Sequence, residues 1–173
     1  MAAPAPLAGA VGATLIEDRY LRDTRLRLRR TTPMGGGPGL RKLGQKVRPD
    51  PGDPGLVLMT NLYLSAEEHA LLSRLPGADL RKTRHVLVVG SRRFGVDVFE
   101  GRHAGLTLVE VQLSGPDDVV AVPAFAGDEV TGDERYAGGW LAFASDAALA
   151  GILGPRRRGV RARRPGRAGS PGD

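Results

Sequence analysis

The stretch TRLRLRR, residues 24–30, decides the fold class of this chain. Its arginines alternate with leucines, so the arginines share one face of an extended strand and the leucines share the other. These arginines are Arg25, Arg27 and Arg29. A basic face of this kind is either a solvated surface or one wall of a cavity that holds an anion, and the run by itself favours neither.

The rest of the chain extends this strand into a β-meander. Further strand candidates, separated by turns rich in Gly, Pro and Asp, lie at 16–21, 40–48, 56–64, 80–89, 93–101 and 106–113. Ser65 and Glu68 form a capping box that starts a helix, which ends at Pro76-Gly77, and residues 140–153 form a second helix candidate. We therefore expect a mainly β, α+β domain, in which an antiparallel barrel is flanked by one or two helices.

Composition sets the boundaries of this domain. The 173 residues, 41% of them hydrophobic, suffice for one domain, which we place at 16–153 between a disordered leader (1–15) and a disordered tail (154–173). There is no cysteine, which excludes disulfides and thiolate metal sites. No apolar run approaches the roughly 20 residues of a membrane span, so we predict a cytoplasmic protein with no membrane partner.

Charge is segregated along the chain. The tail holds seven of the 25 Lys and Arg residues and one of the 19 Asp and Glu residues, so the remainder is neutral. The charged residues of 19–48 are ten Lys or Arg and one acid, Asp23. The charged residues of 97–134 are nine Asp or Glu and one Arg, Arg102. The two halves should therefore pair across the fold or share a charged cavity. The tail could contact nucleic acid through phosphates, but it has no aromatic residue to stack on bases, so a nucleic-acid partner is not expected.

Six segments in order resemble a CYTH domain, the fold of the triphosphate tunnel metalloenzymes, over about Ile16 to Ala142. They are TRLRLRR (24–30), KLGQKVR (42–48), LRKTRH (80–85), GVDVFEG (95–101), LTLVEVQL (106–113) and GDEVTGDERYAGGWLA (127–142). The resemblance implies an eight-stranded antiparallel barrel whose basic interior grips a triphosphate, while acidic residues hold divalent metal. It assigns substrate binding to Arg25, Arg27, Lys46, Lys82 and Arg84.

The acidic half of the family pattern is depleted. The family begins with an ExExK strand, but no carboxylate precedes Glu17, and Thr60-Asn61-Leu62-Tyr63 stands where glutamates alternate. The family's ExE appears as Glu110-Val111-Gln112. Because Mg²⁺ and Mn²⁺ need carboxylate oxygens, Glu110 and Asp97 are the remaining metal candidates, and Asp97 could equally balance an arginine across the barrel.

These observations predict a protein that binds a triphosphate or other phosphorylated anion with weak or no hydrolysis. One alternative is an inorganic or nucleoside triphosphatase that uses Mg or Mn, and the other is a protein that contacts nucleic acid through its Arg-rich tail. Whether the protein is an enzyme stays open. The absent ExExK strand would leave the barrel incomplete, and its open edge could be covered by another segment or by a homodimer.

Overall fold

The computed structural model describes residues 7, 9–50, 52, 56–115 and 117–153, together with the backbone of 158–165. Its strands are β1 (Gly12–Leu21), β2 (Leu26–Pro33), β3 (Leu40–Val47), β4 (Leu56–Tyr63), β5 (Gly77–Val89), β6 (Arg92–Phe99), β7 (Thr107–Gln112), β8 (Asp128–Glu129) and β9 (Arg158–Pro165). Its helices are α1 (Ala66–Leu72), α2 (Gly138–Phe143) and α3 (Asp146–Leu153), and single 3-10 turns lie at Gly101–His103 and Glu134–Tyr136. No helix of this described part is long and apolar enough to span a membrane.

Seven antiparallel strands form a curled sheet in the order β4-β3-β2-β1-β5-β6-β7. Strand β9 continues the sheet beyond β7 in parallel, and the two-residue β8 pairs with β9. Strand β9 also reaches β4, at the opposite end of the row, through only two residue pairs. The mainly antiparallel, incompletely closed barrel expected from the sequence is therefore confirmed.

Strand β1 begins at Gly12 rather than at Ile16. Thr14 pairs with Pro33 of β2 on one side and with Arg84 of β5 on the other, so β1 lies inside the sheet and not at an edge. Leu7 is also buried, in an apolar cluster with β5, β6 and β7. Described residues of the predicted leader thus belong to the folded domain. Strand β1 fills the place between β2 and β5 and pairs with both.

Part of the predicted disordered tail is also a strand. Residues 158–165 form β9, whose pairing with β7 supplies backbone partners to an edge that would otherwise be open. The Arg-rich composition that predicts disorder does not prevent this, because strand addition depends on backbone groups. The rest of 154–173 lies outside the described residues.

Helix α1 starts as predicted. The Ser65 hydroxyl accepts a hydrogen bond from the Glu68 amide at 3.1 Å, and Glu68 Oε2 accepts one from the Ser65 amide at 2.7 Å. However, none of its residues is buried, and Leu71 is 63% exposed. Helix α1 is therefore a surface helix that does not contribute to the core.

An apolar cluster fills one end of the curled sheet. Helices α2 and α3 pack Leu141, Leu149 and Ile152 against Leu80 and Phe99, which lie on the inward face of β5 and β6. The 3-10 turn Gly101–His103 also holds α2 in place. Its buried residue His103 makes a 2.8 Å hydrogen bond between Nε2 and the carbonyl oxygen of Leu141 in α2. Beyond this apolar cluster, the inward face of β5 and β6 changes from apolar to charged, starting at Lys82 and Asp97.

Candidate anion-binding site

The register of the strands places the charged residues on one inward face. Residues paired across neighbouring strands point to the same side, and the pairs link Asp18 to Arg29, Arg29 to Lys42, and Arg84 to Asp97. Extending this alternation along each strand gives a shared face that carries Asp18, Tyr20, Arg27, Arg29, Lys42, Lys46, Lys82, Arg84, Asp97 and Glu110.

A pocket of about 110 Å³ opens on this face between β2 and β3. Its charged lining residues are all cations: Arg25, Arg27, Lys46 and Arg48. The remaining wall consists of Tyr20, Gly44, Gln45, Met59 and residues 137–139. Gly138 presses against the Tyr20 hydroxyl so closely that a side chain at position 138 would collide with it. The pocket is thus positively charged and closed on the side of α2.

The arginines of this pocket retain hydrogen-bonding capacity. The Arg27 side chain is 13% exposed, with Nε 3.5 Å from Asp18 Oδ1 and the guanidinium 6.0 Å from the centre of the Tyr20 ring. Its Nε has no hydrogen-bond partner among the described residues. Arg25 is exposed just before β2, and it forms no ion pair with any carboxylate that the structure describes. Both arginines can therefore donate to an anion that enters the pocket.

Next to the pocket, Asp18 and Arg29 form a buried bidentate ion pair. Arg29 donates from Nε to Asp18 Oδ1 and from Nη2 to Oδ2, each at 2.6 Å. Asp18 is 3% exposed. Burial by itself would raise the pKa of Asp18, but the hydrogen bonds and the positive charge of Arg29 outweigh it and lower that pKa below its ordinary value.

A second buried cluster lies across β5, β6 and β7. Arg84 donates to both oxygens of Asp97, at 2.6 and 2.7 Å, and also to Glu110. Lys82 donates to Asp97 as well, and Asp97 is fully buried. Burial would lower the pKa of Arg84, but the charge of Glu110 and the hydrogen bonds with Asp97 raise it instead. For Lys82 burial dominates over the attraction of Asp97 and lowers the pKa.

The comparisons with known proteins identify the fold. A crystal structure of the inorganic triphosphatase NE1496 matches with 22% identity and a TM-score of 0.51, covering 78% of this chain and 84% of that chain. A second structure, of the hypothetical protein NE1496, matches with 23% identity and a TM-score of 0.50, covering 76% of this chain and 85% of that chain. The chain has a CYTH-like fold. No protein-family profile and no curated protein sequence matches it.

The carboxylates that the sequence offers as metal ligands in this CYTH-like domain are held in ion pairs. Mg²⁺ and Mn²⁺ need several oxygen ligands, usually from more than one carboxylate. In the described residues there is no group of three or more His, Asp or Glu side chains that could hold a metal ion. Asp97 and Glu110, the two metal candidates from the sequence, are both engaged by Arg84. Asp97 therefore balances cations, as the alternative interpretation of the sequence expected.

The five predicted substrate-binding residues fall into two groups. Arg25, Arg27 and Lys46 line one pocket, whereas Lys82 and Arg84 belong to the buried cluster around Asp97 and Glu110. Arg27, Lys46, Lys82 and Arg84 follow the inward alternation of their strands, and Arg25 lies just before β2. The cations of the second group are already neutralised by Asp97 and Glu110. Whether each of them binds a ligand remains a prediction.

Sequence reasoning missed Asp18 and Arg48, and it placed Arg29 on the face of Arg25 and Arg27 without assigning it to the site. Arg48 lies two positions after Lys46, so the period of two could have found it as well. Asp18 could not be found in this way, because its role depends on its pairing with Arg29 across β1 and β2.

Proposed function

We propose that this CYTH-like domain binds a triphosphate or another phosphorylated anion, with weak or no hydrolysis. One observation carries the proposal: Arg25, Arg27, Lys46 and Arg48 line a single pocket, and none of the described carboxylates lines it with them. Guanidinium groups donate paired hydrogen bonds to phosphate oxygens, and an ammonium adds a compact positive charge. Four such groups around one small space suit a multiply charged phosphate better than any neutral ligand.

We expect weak hydrolysis because the inward carboxylates are already held in ion pairs. Cleavage of a phosphoanhydride with metal assistance requires carboxylates that hold the ion and the substrate together. Asp18 is occupied by Arg29, and Asp97 is occupied by Lys82 and Arg84. These acids offset the charge of buried cations, so among the described residues the domain keeps the basic groups of a phosphate-processing site while its inward acids are already paired.

Arg27→Met should weaken the binding of tripolyphosphate about 10- to 100-fold, because a hydrogen bond to a charged group contributes roughly 1.5–3 kcal/mol. The measurement is isothermal titration calorimetry with tripolyphosphate in the presence of EDTA. Arg30→Met is the matched control, since Arg30 lies on the same strand, faces the other way and has a side chain 51% exposed. Equal losses in the two variants would indicate general electrostatic attraction and contradict a pocket.

A metal-dependent triphosphatase is the second candidate, and only the fold likeness to the inorganic triphosphatase NE1496 favours it. We expect phosphate release from tripolyphosphate to be no faster with added Mg²⁺ or Mn²⁺ than with EDTA. The assay compares the wild type with Glu110→Gln under both conditions. Metal-stimulated release that disappears in Glu110→Gln would favour the enzyme over the binding protein.

A further inference from the structure

Arg48 lines the anion pocket and at the same time forms an ion pair with Glu134. The Arg48 side chain is 26% exposed, and its Nε has no hydrogen-bond partner among the described residues. Glu134 is 66% exposed and begins the 3-10 turn that leads into α2. A carboxylate from a distant part of the chain thus forms an ion pair with one of the four cations that line the pocket.

Glu134 is directly connected to the pocket wall. The Ala137 amide donates to the Glu134 carbonyl oxygen at 2.8 Å, and residues 137–139 line the pocket. Between them, the buried Tyr136 anchors the turn in the apolar cluster below α2. The ion pair therefore joins the end of β3 to the segment that closes the pocket on the side of α2.

We propose that Glu134 is an internal competitor of the ligand for Arg48, and this inference rests on the proposed function. Carboxylate and phosphate oxygens accept the same hydrogen bonds from a guanidinium group, so a phosphate that reaches Arg48 displaces Glu134. The displacement removes the contact between β3 and the segment ahead of α2. Anion binding and the position of the pocket wall are coupled through this one arginine.

The size of the competition follows from the exposure of Glu134. A solvent-exposed ion pair contributes up to about 1 kcal/mol, so the internal carboxylate lowers the apparent affinity for an anion by no more than roughly fivefold. A competitor of this strength adjusts the affinity without closing the pocket. It also favours ligands with enough negative charge to displace a carboxylate.

Glu134→Gln should bind tripolyphosphate about two- to fivefold more tightly than the wild type. Glu129→Gln is the matched control, because it removes the same charge from an exposed residue of β8 that does not line the pocket, and its affinity should stay unchanged. Arg48→Met should bind more weakly than the wild type. Adding Glu134→Gln to Arg48→Met should produce no further change, since the competition acts through Arg48.

Trp140 provides an independent measurement, because it is the one tryptophan of the chain and directly follows the pocket wall. Without ligand, the emission of Glu134→Gln should shift towards that of the ligand-bound wild type. A wild type that binds tripolyphosphate together with a Glu134→Gln variant that binds no more tightly overturns this inference alone. A wild type that binds no tripolyphosphate overturns the proposed function, and this inference with it.

Discussion

Asp97→Asn should lower the free energy of unfolding by about 3–5 kcal/mol, the cost of removing one partner from a buried ion pair. Asp97 is fully buried and accepts hydrogen bonds from both Lys82 and Arg84. Replacing it with a neutral amide leaves the charge of Lys82 without its carboxylate in surroundings that exclude water. The measurement is urea unfolding at pH 7, followed by the fluorescence of Trp140.

Two further variants separate this effect from a general disturbance of β6. Glu100→Gln also removes a carboxylate next to that strand, but Glu100 is 36% exposed and pairs with the exposed Arg81, so the loss should stay below about 1 kcal/mol. Adding Lys82→Met to Asp97→Asn should recover part of the lost stability, because it removes the unpaired charge. A double variant less stable than Asp97→Asn would contradict the ion-pair account.

The fold could be predicted from the sequence because its signals are local. The alternation in 24–30, the capping box at Ser65 and the Gly- and Pro-rich turns each act within a few residues, and the structure has strands and a helix at these places. The limits of the domain depend on pairing partners instead. Residues 12–15 extend β1 because β2 and β5 lie on either side, and residues 158–165 join β7 at an open edge.

The candidate site was partly predictable for the same reason. A period of two puts Arg25 and Arg27 on a shared face, and likewise Lys82 and Arg84, and this follows from the sequence alone. That these faces point inward is implied only by the resemblance to CYTH domains. Which of these cations remains available to a ligand depends on acids that reach them across the sheet. Asp97 pairs with Arg84 from the neighbouring strand, and Glu134 reaches Arg48 from a remote turn. No local pattern contains such pairings.

Asp18→Asn should be the second severe substitution, with a loss of about 3–5 kcal/mol at pH 7, because Arg29 then keeps a buried charge without its bidentate partner. Asp79→Asn is the control. Asp79 also faces an arginine, Arg19, at 2.9 Å, but its side chain is 74% exposed. Its substitution should change the free energy of unfolding by less than about 1 kcal/mol.

The stability that Asp18 contributes should also depend on pH in a defined direction. Its pKa in the folded protein is lower than in the unfolded chain, where an aspartate titrates near about 3.9. The contribution is therefore complete above about pH 4–5 and is lost as the pH falls through the lower, folded pKa. The wild type and Asp18→Asn should thus differ most at neutral pH and converge below about pH 4, measured by urea unfolding from pH 7 to pH 2. A difference that stays constant over this range would mean that the carboxylate of Asp18 is not held in its charged form by Arg29.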